Sequence, residues 1–134
     1  MGSDIYGKVQ VRTGSEWQDV SRDRLPEELF DRNYAMFAVL ADFRNGYGVP
    51  AISSPRGAPE EEEPQERLVY ESWVLLSELL DYDWEGPAWQ QEICSIGETY
   101  PLHALTQGWR KAALPALQAL GEPEDVRFVF GFDC

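Results

Sequence analysis

Val126-Arg-Phe-Val-Phe-Gly-Phe132 places an apolar residue at every second position, the period of a β-strand with a face against a core. Such a strand needs a partner, and Ile5-Tyr-Gly-Lys-Val-Gln-Val-Arg12 has the same period, with Val9 and Val11 directed inward. Thr13-Gly14-Ser15 then supplies turn chemistry ahead of Glu16-Trp-Gln-Asp-Val20, so the chain opens with a β-hairpin. Hairpin and final strand together predict a small antiparallel sheet.

Helices are expected to cover that sheet. Pro26-Glu27-Glu28 starts one, with acids near the positive end of the dipole, and Leu29, Tyr34, Phe37, Ala38, Leu40 and Ala41 recur at mostly helical spacing towards Arg44. Asn45-Gly46 ends it, and Arg32-Asn33 and Arg44-Asn45 suit helix ends as caps and dipole partners. The spacing predicts a second helix over Glu71 to Leu80, burying Trp73, Leu76, Leu79 and Leu80. A third is expected from Trp109 to Leu120, disturbed by Pro115 and capped by Gly121. Ile93 to Ile96 reads as a short strand. Residues 46–67 contain Gly48, Pro50, Pro55, Gly57, Pro59 and Pro64, which predicts a long Pro/Gly/Glu-rich loop. The expected fold class is therefore α+β: an antiparallel sheet, made of the N-terminal hairpin and the C-terminal strand, packed on about three helices in one domain, 1–134.

Composition supports a folded body. A chain of 134 residues can bury roughly two-thirds of its unfolded surface, and 13% aromatic content is too rich for a disordered acidic tail. No apolar run approaches the ~18–20 residues that span a bilayer, and the N-terminus lacks the basic and apolar regions of a secretory signal. The cytoplasm is the expected compartment, where Cys94 and Cys134 are expected to be free thiols.

The charge is concentrated in the middle of the chain. From Gly57 to Trp109 there are twelve acids against one base, Arg67, a net of −11, whereas the segments on either side each carry −1. A local excess of this kind attracts basic surfaces and repels nucleic acid and anionic lipid. The candidate partner-binding residues are Glu60, Glu61, Glu62, Glu63, Glu66, Glu71, Glu78, Asp81, Asp83 and Glu85. Glu71, Glu78, Asp81 and Glu85 fall at offsets 0, 7, 10 and 14, so a helix reaching that far would hold them on one face. Tyr82, Trp84 and Trp89 lie in the same segment as candidate aromatic anchors, whereas Trp73, Phe37 and Phe130 fit core positions.

No catalytic signature competes with the charge. His103 is the sole histidine, and the cysteines stand forty residues apart without a C-x-x-C pair, so no metal centre is expected. A Cys94–His103 nucleophile lacks a recognisable elbow, and a dozen acids without a defined cleft single out no acid/base pair. The phosphate-cradling glycine motifs and the alternating Asp/Asn calcium loop are missing. Neither an enzyme nor a cofactor is expected.

The blocks Arg32-Asn-Tyr-Ala-Met-Phe-Ala-Val-Leu-Ala-Asp-Phe-Arg-Asn45, Ser54-Pro-Arg-Gly-Ala-Pro59, Ser72-Trp-Val-Leu-Leu-Ser-Glu-Leu79 and Val126-Arg-Phe-Val-Phe-Gly-Phe-Asp133 resemble a group of small proteins of phages and prophages. Members of that group often carry histidines just before the Ser-Trp block, where this chain has Leu68-Val-Tyr-Glu71. In size and acidity the chain is similar to anti-CRISPR proteins, several of which imitate DNA in the target-binding channel of a type I surveillance complex, with type I-C a candidate. That resemblance implies a non-enzymatic inhibitor in the bacterial host cell, with a basic nucleic-acid-binding complex as its partner. The other function consistent with the residues is an acidic interaction or assembly module of a phage, without nucleic-acid mimicry.

Overall fold

The computed structural model describes the backbone of residues 2–46, 48–86, 88–91 and 98–133, and the side chains of all of these except 88–91 and 98–99. β1 (Ile5–Thr13) and β2 (Glu16–Asp19) form the expected hairpin around Gly14, whose φ of 66° suits a two-residue turn. They join β3 (Val69–Leu75) and β6 (Val126–Phe132) in one antiparallel sheet of order β2-β1-β6-β3. The strands β4 (Ala88–Gln91) and β5 (Glu98–Pro101) pair separately as a small second sheet, and the strand expected at Ile93–Ile96 lies outside the described residues. The fold class is α+β, as the alternating segments imply.

Among the described residues four α-helices accompany the sheet: α1 (Tyr34–Ala41), α2 (Leu76–Asp81), α3 (Leu102–Leu105) and α4 (Gln107–Gln118). The long helix expected from Pro26 to Arg44 is broken into a 3-10 turn, Glu27–Phe30, and α1. The break falls at Asn33, whose extended backbone and Oδ1, accepting from Met36 N–H at 3.1 Å, make it an N-cap rather than an interior residue. Ala35 to Ala41 are all buried, so α1 is a central helix without a solvent face. α4 continues through Pro115 and ends at Ala119 in right-handed geometry, and Gly121 is not the left-handed cap expected of it.

The stretch expected to be a second helix is the largest departure. Val69–Leu75 is a strand, and the helix begins only at Leu76. A short apolar run such as Trp73–Leu76 fits either period, and pairing with β6 decides for the strand: Ser72 and Val74 lie opposite Phe130 and Phe128. Trp73 is half-buried and Leu80 is exposed, so neither belongs to a buried helical stripe.

β6 is central and therefore covered on both faces, where strict alternation alone requires one. Val126, Phe128, Phe130 and Phe132 face the helices: Phe128 meets Phe30 edge-on at 5.9 Å, and Phe132 lies 4.8 Å from Phe37 and stacks on Phe43 at 4.3 Å. Arg127, Val129 and Gly131 point to the second face, across which residues 56–68 fold. Between Gly46 and Arg67 the described residues contain neither helix nor strand. Gly131 lets this loop approach closely, since a Cβ there would sit 3.0 Å from Leu68 Cδ1.

Candidate functional site

The β1 and β6 registers place Lys8, Gln10 and Arg12 beside Val129, Arg127 and the end of β6 on the second face, with Trp17 opposite Arg12 and Trp73 opposite Val129. A guanidinium ladder results. Arg12 lies 5.0 Å from the Trp17 ring, Arg127 lies 4.1 Å from Trp17 and 6.0 Å from Trp73, and Arg56 lies 4.5 Å from Trp73. Each guanidinium also has an oxygen partner. Asp125 accepts from Arg12 at 3.0 Å, Glu78 takes Arg56 bidentately at 2.7 and 2.5 Å, and Glu61 and Gln10 take Arg127 at 2.5 and 2.8 Å.

The acidic loop thus has an internal task that sequence reasoning missed. Arg127 is only 5% exposed, and a charge buried to that degree requires a counter-charge. Glu61 supplies it, and the Arg127 hydrogen bond holds the Glu61 carboxyl below its ordinary value. Glu62 pairs with Lys8 and meets Gln10. Burial pulls Lys8 down, but the Glu62 hydrogen bond and the Asp19 charge at 3.4 Å outweigh it and hold the ammonium above its ordinary value. The available signal was Arg127 itself, a charge inside an apolar strand.

Glu71, Glu78, Asp81 and Glu85 do not form the expected row. Glu71 is on β3, where its carboxylate accepts from Gln65 N–H at 3.0 Å; Glu78 and Asp81 are on α2; and Glu85 follows the end of that helix. Glu78 Oε1 also accepts from Leu75 N–H at 2.9 Å, capping the first turn of α2. Hydrogen bonding to Arg56, foremost, lowers the Glu78 pKa against the opposing effect of burial. A lowered folded-state pKa adds stability above the unfolded carboxyl value, and that stability is lost as pH falls through the folded pKa. Thermal unfolding measured from roughly pH 5 to pH 3 should therefore show a steeper loss in wild type than in Glu78→Gln, the two curves converging at the acid end. Parallel curves would refute the pairing.

Among the candidate anchors, Trp84 is buried, its Nε1 donates to the Leu79 carbonyl at 3.0 Å, and Arg110 lies 5.2 Å from its ring, so it is a packing residue and not an interface anchor. Tyr82 is half-buried, donates its hydroxyl to the Pro50 carbonyl, and has its pKa pushed up to about 12 by burial, with Asp83 adding. The side chain of Trp89 lies outside the described residues, as do Cys94 and Cys134. Glu78, Asp81, Tyr82 and Asp83, with Pro50 and Ile52, line an open groove of about 650 Å³. Asn33 caps α1 as expected, whereas Asn45 clasps the loop after it through Asp42 and Val49.

Glu60, Glu63, Glu66, Asp81, Asp83 and Glu85 are exposed and form no ion pair with the described residues. They make two groups, one on the loop and one around the end of α2. Among the described residues no group of three or more His, Cys, Asp or Glu side chains is placed to hold a metal ion, and no helix is long and apolar enough to cross a membrane. No family model, curated protein or solved structure matches the chain.

Proposed function

We propose that the protein is a non-enzymatic inhibitor whose acidic surface occupies the nucleic-acid-binding site of a basic defence complex, with a type I CRISPR surveillance complex as the candidate target. The observation that carries this reading is the charge left on the middle segment after five of the chain's eleven bases have paired with described acids. Lys8, Arg12, Arg32, Arg56 and Arg127 are paired with acids inside the molecule, while six exposed carboxylates of the middle segment have no such partner in a chain of net charge −13. Uncompensated carboxylates steer a basic partner and compete for the lysines and arginines that otherwise hold phosphates. The contact surface supported here excludes Glu61, Glu62 and Glu78, which are engaged in cis.

The engagement of those three favours a second reading, an acidic interaction or assembly module that imitates no nucleic acid. One assay separates the two. Purified surveillance complex carrying labelled target duplex is titrated with wild type and with Glu63→Lys/Glu66→Lys/Asp81→Lys/Glu85→Lys, whose four reversals of two units each take the net charge from −13 to −5. Wild type should displace the duplex, more weakly as salt rises, and the variant should lose potency by at least roughly tenfold with its thermal stability kept. Unchanged potency in the variant defeats the inhibitor reading, and salt-insensitive binding without duplex displacement supports the module.

A further inference from the structure

Three non-glycine residues among those described have left-handed backbones: Asp42 at φ 59°, Arg44 at φ 56° and Tyr70 at φ 52°. Two of them are near neighbours in sequence, and Tyr70, far from both, meets the residue between them. Asp42 and Arg44 flank Phe43, and the Phe43 ring touches the Tyr70 ring edge-on at 5.0 Å. For a side chain as bulky as tyrosine this conformation is strained, and strain of this kind gathers where a binding surface has to be held in one shape.

The corner is over-determined by its surroundings. Asp42 N–H donates to the Ala38 carbonyl at 2.9 Å, and its carboxylate accepts from Asn45 Nδ2 at 2.7 Å. Arg44 donates to Ser3 Oγ at 3.0 Å and lies 4.9 Å from the Tyr34 ring. Phe43 stacks on Phe132 at 4.3 Å. Tyr70 itself sits where the β3–β6 register shifts, between Val69 and Ser72, and the loop locks that shift through Gly57 N–H to the Glu71 carbonyl at 2.8 Å.

Despite this fixed backbone, the Tyr70 side chain is not sealed into the core. It is 47% exposed, the largest exposure of any large hydrophobic residue described, whereas Trp84 is buried and Tyr82 is tied to Pro50. A glycine would satisfy the same backbone without strain, so packing alone does not account for a tyrosine here. A rigid aromatic with an open ring, on a chain of net −13, is suited to a cationic side chain.

We propose that Tyr70 is the aromatic anchor of the partner contact, its ring receiving a guanidinium or ammonium group from a basic protein surface. The partner's charge rests on the inhibitor reading, but the anchor is tested separately from it. A short oligoarginine peptide is titrated into the full chain, following the ring resonances of Tyr70 and Tyr6 and the affinities of Tyr70→Gly and Tyr70→Phe. Tyr6, 45% exposed and hydrogen-bonded through its hydroxyl to Asp133, serves as the control. The Tyr70 ring should shift and the Tyr6 ring should not; Tyr70→Gly should bind roughly fivefold more weakly with an unchanged or raised unfolding midpoint, and Tyr70→Phe should bind like wild type. Wild-type affinity in Tyr70→Gly, no peptide binding by wild type, or a lowered midpoint in Tyr70→Gly would each overturn the anchor. If these effects appear and duplex displacement does not, the anchor stands and the CRISPR target falls.

Discussion

Arg127→Ala is expected to lower the free energy of unfolding by about 3 kcal/mol, the sum of an unsatisfied buried acceptor and a void between two indoles. The acceptor is the side-chain amide oxygen Oε1 of Gln10, a residue only 1% exposed, which loses its 2.8 Å donor. The void opens where the guanidinium lies 4.1 Å from Trp17 and 6.0 Å from Trp73. Arg127→Met separates volume from charge. It refills the space between the rings, and Glu61, whose side chain is 51% exposed, can return to water, so the expected cost falls to about 1–2 kcal/mol, mainly the Gln10 acceptor. Chemical denaturation with both variants decides the matter. An alanine variant within about 1 kcal/mol of wild type would mean that the ladder does not hold the second face together.

That expectation recasts the acidic loop. In the sequence, Glu60–Glu63 read as charge offered to a partner, because nothing local showed which bases the chain would bring to them. The missing information was non-local: Lys8, Gln10 and Arg127 meet only after β1 and β6 pair along Ile5–Val11 and Val126–Phe132. What a period of two encodes was legible, namely the hairpin, the last strand and the core positions Val9 and Phe130. Segments whose local signals conflict were not. Residues 69–76 fit both periods, and their strand exists because β6 has an open edge at which Ser72 and Val74 bury against Phe130 and Phe128. Asn33 was legible as a capping residue, but Pro26-Glu27-Glu28 and the apolar spacing on either side of Asn33 suggested an earlier helix start. Backbone strain at Tyr70 has no sequence signal of the kind a glycine gives. The candidate site was therefore legible as a charge and not as a shape.

The largest effect expected of any core substitution ties that shape to the fold. Phe132 is fully buried, paired with Ile5 on one side and Val69 on the other, with its ring 4.3 Å from Phe43, 4.8 Å from Phe37 and 5.6 Å from Phe130. Phe132→Ala removes the ring that all three share, at a cost of about 3–5 kcal/mol, or a fall of roughly 10–20 °C in the unfolding midpoint. The consequence goes beyond stability, because Phe43 loses its stacking partner and is the only described aromatic ring contact of Tyr70. Phe132→Leu isolates that consequence. It keeps most of the volume, so it should cost about 1.5 kcal/mol or less while still abolishing the stack. The Phe132→Leu protein should stay folded and lose oligoarginine affinity in the direction of Tyr70→Gly, together with faster amide exchange at Phe43 and Tyr70. If Phe132→Leu binds like wild type, the rigidity of the Phe132–Phe43–Tyr70 contacts has no part in recognition. If Phe132→Ala costs less than about 1.5 kcal/mol, the aromatic cluster is not the centre of the core.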